Sequence, residues 1–200
     1  VNGNGITLNI GKDVTSIPDK MFYTGYFSST PKLVTLNFAK DGNCTTIGQF
    51  AFCGCDDLET IYLDDSVTSI GESAFENCSG LIDVVIPNSI TSIGANAFEG
   101  CCDLKYNEFD SACYLGNNEN PYIALIKTKC SNITWCKIYV NCKIIVDGAF
   151  EDCCSLTSVF VPDSVINIGK DAFRNCCGLT SVIIPNSVTN IGESAFKDCC

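Results

Sequence analysis

The sequence predicts a repeat solenoid, and three observations predict it. One block recurs every 23 residues: Ser66 to Asn88 reads SVTSIGESAFENCSGLIDVVIPN, and Ser164 to Asn186 reads SVINIGKDAFRNCCGLTSVIIPN. Val, Ile-Gly, Ala-Phe, Cys, Leu and Ile-Pro keep their slots from copy to copy. A unit this short cannot bury its own apolar face, so it must stack on its neighbours.

Each unit opens on a strand. In Leu81-x-x-Val84-x-Ile86-Pro87 the apolar rhythm is that of a short extended segment, and the proline removes the next donor and ends the pairing. The pattern recurs at Leu33/Leu36/Phe38, Leu58/Ile61/Leu63, Leu104/Asn107/Phe109, Ile133/Cys136/Ile138, Leu156/Val159/Val161 and Leu179/Val182/Ile184, with a partial copy at Leu8/Ile10. That makes eight strands, whose first positions from Leu33 onward are spaced by 25, 23, 23, 29, 23 and 23 residues.

A second extended segment, Val-x-x-Ile-Gly, then turns a corner at Gly71, Gly94, Gly169 and Gly192. Pro18 and Val146 fill that slot in two units, so the corner does not demand a positive φ; close backbone approach is the expected reason for glycine. Ala-Phe-x-x-Cys follows and is too short for a free-standing helix, which predicts a helical or 3₁₀ turn. Its Phe is the expected plug of each rung: Phe52, Phe75, Phe98, Phe150, Phe173 and Phe196, with Phe22 in a degenerate first unit whose loop runs on through Phe27 to Pro31. One rung departs from the pattern over about 111–131: Ala112 to Leu115, the polar turn GNNENP, and Tyr122 to Lys127 predict an inserted β-hairpin.

At these residues the sequence resembles the BspA-like, or Treponema pallidum type, leucine-rich repeat family, over roughly residues 8 to 200. The departures are Met21-Phe22 for Ala-Phe, Asn107 inside a strand, and Asp64, Asp110 and Tyr139 in place of the proline. The resemblance implies a right-handed leucine-rich-repeat β/α solenoid with a parallel sheet. It also implies proteins that are secreted or held at the surface of bacteria or parasitic protists, where they act in adhesion and host-protein binding. Residues 1–200 read as a single leucine-rich repeat domain. With no initiator Met, a half unit at the start and a stop at Cys200, they look like a fragment of a longer protein.

Twelve Lys and Arg against 23 Asp and Glu give a net charge of -11, which argues against a phosphate-backbone partner, so no nucleic acid is expected. No apolar run approaches the roughly 18 residues of a membrane span, so this segment is not expected to insert. The chain contains no histidine, so neither a Ser-His-Asp nor a Cys-His nucleophile can be assembled from it. Phosphate-loop and dinucleotide fingerprints are missing too, and Glu72, Glu76, Asp83, Asp152 and Glu193 read as solvated surface charges. The expectation is a protein that is not an enzyme and needs no cofactor. Three Asn-x-Ser/Thr triplets, at Asn43, Asn77 and Asn132, are explained by chance in a repeat rich in these residues.

Sixteen cysteines fall largely into two columns. Cys55, Cys78, Cys101, Cys153, Cys176 and Cys199 should form a ladder in the core, while Cys102, Cys154, Cys177 and Cys200 follow one residue on and should face the other way. Buried free thiols behave as small hydrophobes, and rungs about 4.8 Å apart would also fit the Cα separation of a disulfide. The readings rank as reduced thiols, then inter-rung bridges, then metal, since zinc usually draws on His.

If Leu, Val and Ile of each strand point inward, the residues between them point outward onto the sheet. That alternation sets Tyr62, Val85, Tyr106, Trp135, Phe160 and Ile183 on one concave face, and Trp135 is the chain's single Trp. Exposed aromatics are what a protein-binding surface displays. The same residues would be mere filling if they packed on one another or if the hairpin covered Trp135. The leading expectation is a surface or secreted recognition module for a host extracellular protein or a glycan. The alternatives are a structural stalk that presents another domain, and a repeat domain attached to a secreted enzyme.

Overall fold

All eight predicted strand positions fold as strands. The computed structural model describes residues 5–23 and 32–199, so the expected loop from Phe27 to Pro31 and the last cysteine, Cys200, lie outside the described residues. The chain divides into two units, Val1–Lys105 and Tyr106–Cys200.

In the first unit the strands are β1 (Ile6–Ile10), β2 (Ser16–Ile17), β3 (Leu33–Phe38), β4 (Thr46–Ile47), β5 (Thr60–Tyr62), β6 (Ser69–Ile70), β7 (Asp83–Val85) and β8 (Ser92–Ile93). The odd members form one parallel sheet in the order β1-β3-β5-β7, and the even members form a second, β2-β4-β6-β8. Register places Leu8, Leu36, Ile61 and Val84 in one column, and Ile17, Ile47, Ile70 and Ile93 in another. The second column is wholly buried, as are Leu36, Ile61 and Val84 of the first. Each rung thus contributes one inward side chain per sheet, and stacking turns these into continuous apolar rows. Between the sheets Phe22, Phe52, Phe75 and Phe98 stack ring on ring at 5.5, 5.3 and 5.6 Å.

The corner glycines are there because backbone from the rung before lies against them. A β-carbon on Gly71 would sit 2.7 Å from the Gln49 nitrogen, and one on Gly94 would sit 2.5 Å from the Glu72 nitrogen. None of the corner glycines has a positive φ. Both exceptions make sense on this account. Pro18 lies at the first described corner, with no earlier corner against it, and Val146 follows strand β11 (Ala124–Thr128), which runs straight where other rungs turn. Gly71→Ala is accordingly expected to cost about 1–3 kcal/mol through overpacking, measured by urea unfolding. A loss under a few tenths would show that the corner can open freely.

The Phe turns are not helical: among the described residues no α- or 3₁₀-helix forms. Two features prevent it. Each turn carries two residues at positive φ, four apart: Phe50 and Gly54, Ser73 and Asn77, Asn96 and Gly100, Gly148 and Asp152, Asp171 and Asn175, Ser194 and Asp198. Left-handed residues interrupt a right-handed helix, and the second of each pair is always Gly, Asn or Asp, the types that tolerate it. In addition, alternate N–H groups of the turn donate to the next rung instead of along the chain. Phe52 N donates to Ala74 O at 2.8 Å, Gly54 N to Glu76 O at 2.8 Å, and Phe75 N to Ala97 O at 2.9 Å. The turns therefore form a third hydrogen-bonded side of the coil.

In the second unit β9 (Asn107–Phe109), β10 (Ala112–Leu115) and β11 form an antiparallel meander that contains the predicted hairpin. Asn117 closes its tip, its Oδ1 accepting from the Glu119 and Asn120 amides at 3.0 and 2.9 Å. The strand spacing predicts that β9 continues the parallel strand column; it pairs instead with β10. The cause is Asp110, which occupies the usual proline slot, adopts φ 52° and folds the chain straight back. β11 then leads a parallel series through β13 (Ile144–Ile145), β15 (Asn167–Ile168) and β17 (Asn190–Ile191), while β12 (Trp135–Lys137), β14 (Ser158–Phe160) and β16 (Ser181–Val182) form a separate parallel sheet. Phe150, Phe173 and Phe196 stack at 4.8 and 5.1 Å. In the hairpin rung, aromatics of another kind fill the space. Tyr114 is fully buried, its hydroxyl accepts from the Tyr139 amide at 3.3 Å, and its ring meets Tyr122 edge-on at 5.5 Å.

Candidate functional site

Alternation along the strands decides which side chains reach solvent, and register decides which of them become neighbours. In the first unit Asn37, Tyr62 and Val85 fall in one outward row, with Thr35, Thr60 and Asp83 in the row beside it. Tyr62 is 55% exposed and Val85 half-buried, while Ile61 and Val84 between the rows are buried. Asn37 Nδ2 donates to Asn9 Oδ1 at 3.1 Å, which continues the row onto β1 as a hydrogen-bonded pair.

In the second unit Trp135 lies opposite Ser158, which lies opposite Ser181, and Lys137 lies opposite Phe160. Ile183 follows one step beyond the last paired residue of β16, in line with Phe160. Trp135 is 48% exposed, Phe160 51% and Ile183 82%, so the hairpin does not cover the Trp. Register thus places serines next to Trp135 along its row and Lys137 next to Phe160. The Lys137 amide is held by Asp110 Oδ2 at 2.6 Å, which ties this edge of the sheet to the β9–β10 bend.

Tyr106 stands differently. It precedes β9, is half-buried, and carries the Lys127 ammonium 5.0 Å above its ring. Register thus brings Tyr62 and Val85 together in the first unit, and sets Trp135, Phe160 and Ile183 on one sheet in the second. Tyr106 is placed beside the antiparallel meander. Exposed apolar residues that the strand pattern does not single out are Ile6, Met21, Tyr23, Ile82, Val140 and Ile191. Ile82 immediately precedes β7, and its exposure could have been read from its place next to Leu81.

The columns of cysteine separate as their spacing predicts. Cys55, Cys78, Cys101, Cys153 and Cys176 are buried and Cys199 is half-buried, whereas Cys102, Cys154 and Cys177 are exposed. Four of the ladder thiols share one task. Cys78 Sγ donates to Phe52 O at 3.2 Å, Cys101 Sγ to Phe75 O at 3.2 Å, Cys176 Sγ to Phe150 O at 3.1 Å and Cys199 Sγ to Phe173 O at 3.1 Å. The thiol fills the second lone pair of a carbonyl that already accepts an amide in its own turn, as Phe52 O does from Cys55 N. Burial pushes the Cys55 and Cys176 thiols up to about 12, and Cys78 higher still, so these sulfurs stay protonated at neutral pH and are poor nucleophiles.

The carboxylates considered as acid/base candidates are spread over the turns and strands. Glu72, Asp83, Asp152 and Glu193 are exposed and Glu76 is half-buried. Among the described residues no helix is long and apolar enough to cross a membrane.

The pattern of a BspA type leucine rich repeat region matches this chain in six copies, over residues 2–119 and 127–200. Among curated proteins none matches at a significant level. Similar solved structures include the pneumococcal vaccine antigen PcpA, at 19% identity and a TM-score of 0.46, covering 93% of this chain and 58% of that one. A leucine-rich repeat protein from Eubacterium ventriosum is 23% identical with a TM-score of 0.48, over 96% of this chain and 51% of that one. A leucine rich cell surface protein from Faecalibacterium prausnitzii is 25% identical with a TM-score of 0.45, over 96% of this chain and 64% of that one. The chain spans 58%, 51% and 64% of the lengths of these three structures.

Proposed function

The chain belongs to the BspA type leucine-rich repeat family, and from that premise we propose that it is a non-catalytic recognition module, secreted or held at a cell surface, that binds protein through the outward strand faces. The repeat runs through both units, which supports reading residues 1–200 as one repeat domain. What carries the proposal is Trp135. A large ring stands half in water on an ordered strand, with Phe160 exposed on the same sheet and Ile183 exposed just past its last strand. Such rings are the residue types that dominate protein interfaces once a partner removes their water. The net charge of -11 favours a partner that is not itself polyanionic.

The test is a binding screen of the purified chain against arrayed extracellular proteins, repeated with Trp135→Ser/Phe160→Ser and with Tyr62→Ser. Loss of these rings should weaken a specific protein interaction by about tenfold or more, which corresponds to roughly 1.4 kcal/mol. A protein ligand whose affinity ignores both variants would reject the face, and a ligand set made up only of glycans would reject the partner class. An array with no specific hit would favour the stalk.

A further inference from the structure

We propose that Cys154 and Cys177 form a surface dithiol that closes into an inter-rung disulfide when it meets a disulfide oxidant of the oxidised-glutathione class. Both thiols are exposed, and both address one acceptor: Cys154 Sγ lies 3.4 Å and Cys177 Sγ 3.5 Å from the Asn175 carbonyl oxygen. Cys177 Sγ has a second, longer contact, 3.8 Å to the Asp198 carbonyl oxygen. Their backbones are held one rung apart on either side. Gly178 N donates to Cys154 O at 3.0 Å, Asp152 N donates to Arg174 O at 3.0 Å, and Asn175 Nδ2 donates to Asp152 Oδ1 at 2.8 Å. A rung step of about 4.8 Å lies inside the roughly 4.4–6.8 Å Cα separation that a disulfide accepts.

Among the described residues the other cysteines lack one or more of these conditions. Cys176 has the same spacing to Cys153, but it is buried and committed to Phe150 O, while Cys153 Sγ pairs with Thr128 Oγ1 at 3.6 Å. Cys102 is exposed, yet the residues in its column on the preceding rungs are Ser79 and Asp56. Only exposed thiols can meet an oxidant in solution and ionise to attack it.

The exchange balances in two steps. One thiol of the pair loses its proton and attacks the oxidant RS–SR; a protein–SR mixed disulfide forms and RS⁻ leaves. The second thiol, deprotonated in turn, attacks the protein sulfur of that mixed disulfide, forming Cys154–Cys177 and releasing the second RS⁻. The protein gives up two electrons and two protons, and the oxidant departs as two RSH. The bond would join neighbouring coils and shorten the unfolded chain by a 23-residue loop.

The experiment treats the folded chain with excess oxidised glutathione, blocks remaining thiols, and maps peptides without reduction. The expected product is a linked Cys154–Cys177 peptide, two hydrogens lighter than its separate parts, which disappears on reduction. Tm should rise by roughly 5–10 °C on oxidation and return with dithiothreitol. Cys154→Ser should abolish the link and leave Cys177 as a glutathione adduct, while the ladder thiols stay unmodified. A Cys153–Cys176 link, links from Cys177 to Cys200, cross-links only between molecules, or alkylation of both thiols after oxidation would each overturn the proposal.

Discussion

Phe75→Ala is expected to lower the unfolding free energy by about 3–5 kcal/mol. The ring is fully buried and has a partner on each face, Phe52 at 5.3 Å with planes 3° apart and Phe98 at 5.6 Å with planes 6° apart. Truncation removes the transfer energy of the ring, leaves a cavity between two coils, and strips one face from each neighbour. Relaxation is restricted, because Phe75 N is bonded to the next rung through Ala97 O at 2.9 Å and Phe75 O accepts the Cys101 thiol at 3.2 Å. The backbone therefore cannot collapse into the space without giving up hydrogen bonds. Phe196→Ala supplies the comparison. That ring is only half-buried and stacks on Phe173 alone among the described rings, at 5.1 Å, so its loss should cost about half as much. Urea unfolding of both variants reads the difference. Equal costs, or a loss below about 1 kcal/mol for Phe75→Ala, would mean that the ring column does not hold the coils together.

The columns were legible because a repeat shows each slot several times. Leu36, Ile61 and Val84 announce an inward row, and the corner glycines announce close approach once Pro18 and Val146 show that no special φ is needed. The turn conformation was harder. Its second left-handed position, filled by Gly54, Asn77, Gly100, Asp152, Asn175 and Asp198, could have been recognised from residue type alone. The first, which admits Phe50 and Ser73, could not. Nor does a 23-residue period reveal that the turn amides donate across rungs, since that depends on the stack already being formed. Asp110 departs from proline in the sequence, but the apolar spacing of β9 matches its column and does not reveal the reversal that a left-handed residue permits. For the candidate face, alternation was enough for Tyr62, Trp135, Phe160 and Ile183, whose exposure follows from their neighbours being inward. Tyr106 escaped the same logic because Lys127, which lies over its ring, comes from the hairpin strand 21 residues later.

Stability should fall steeply above about pH 9, and the buried thiols are the reason, three of the cysteine ladder together with Cys136 and Cys142. Burial holds Cys55, Cys136, Cys142 and Cys176 up to about 12 in the folded chain, and Cys78 higher, against an unfolded thiol near 8.5. Below pH 8.5 both states carry the thiol proton, so the full stability is present. Above it the unfolded chain releases protons that the folded chain keeps, and each such thiol subtracts about 1.4 kcal/mol per pH unit until the folded value is reached. Five thiols acting together give a slope on the order of 7 kcal/mol per pH unit, comparable with the entire stability of a domain. Urea midpoints measured from pH 7 to 10.5 under a phosphine reductant should therefore collapse within about one unit of pH 9.5. Replacing Cys176 by Ala removes one titrating group and should flatten the slope by about 1.4 kcal/mol per pH unit, even though the cavity lowers stability at pH 7. A flat profile to pH 10.5 would show that these buried sulfurs are not held as protonated thiols in the folded chain. A slope unchanged by Cys176→Ala would show that this thiol is not among the groups the folded chain holds protonated.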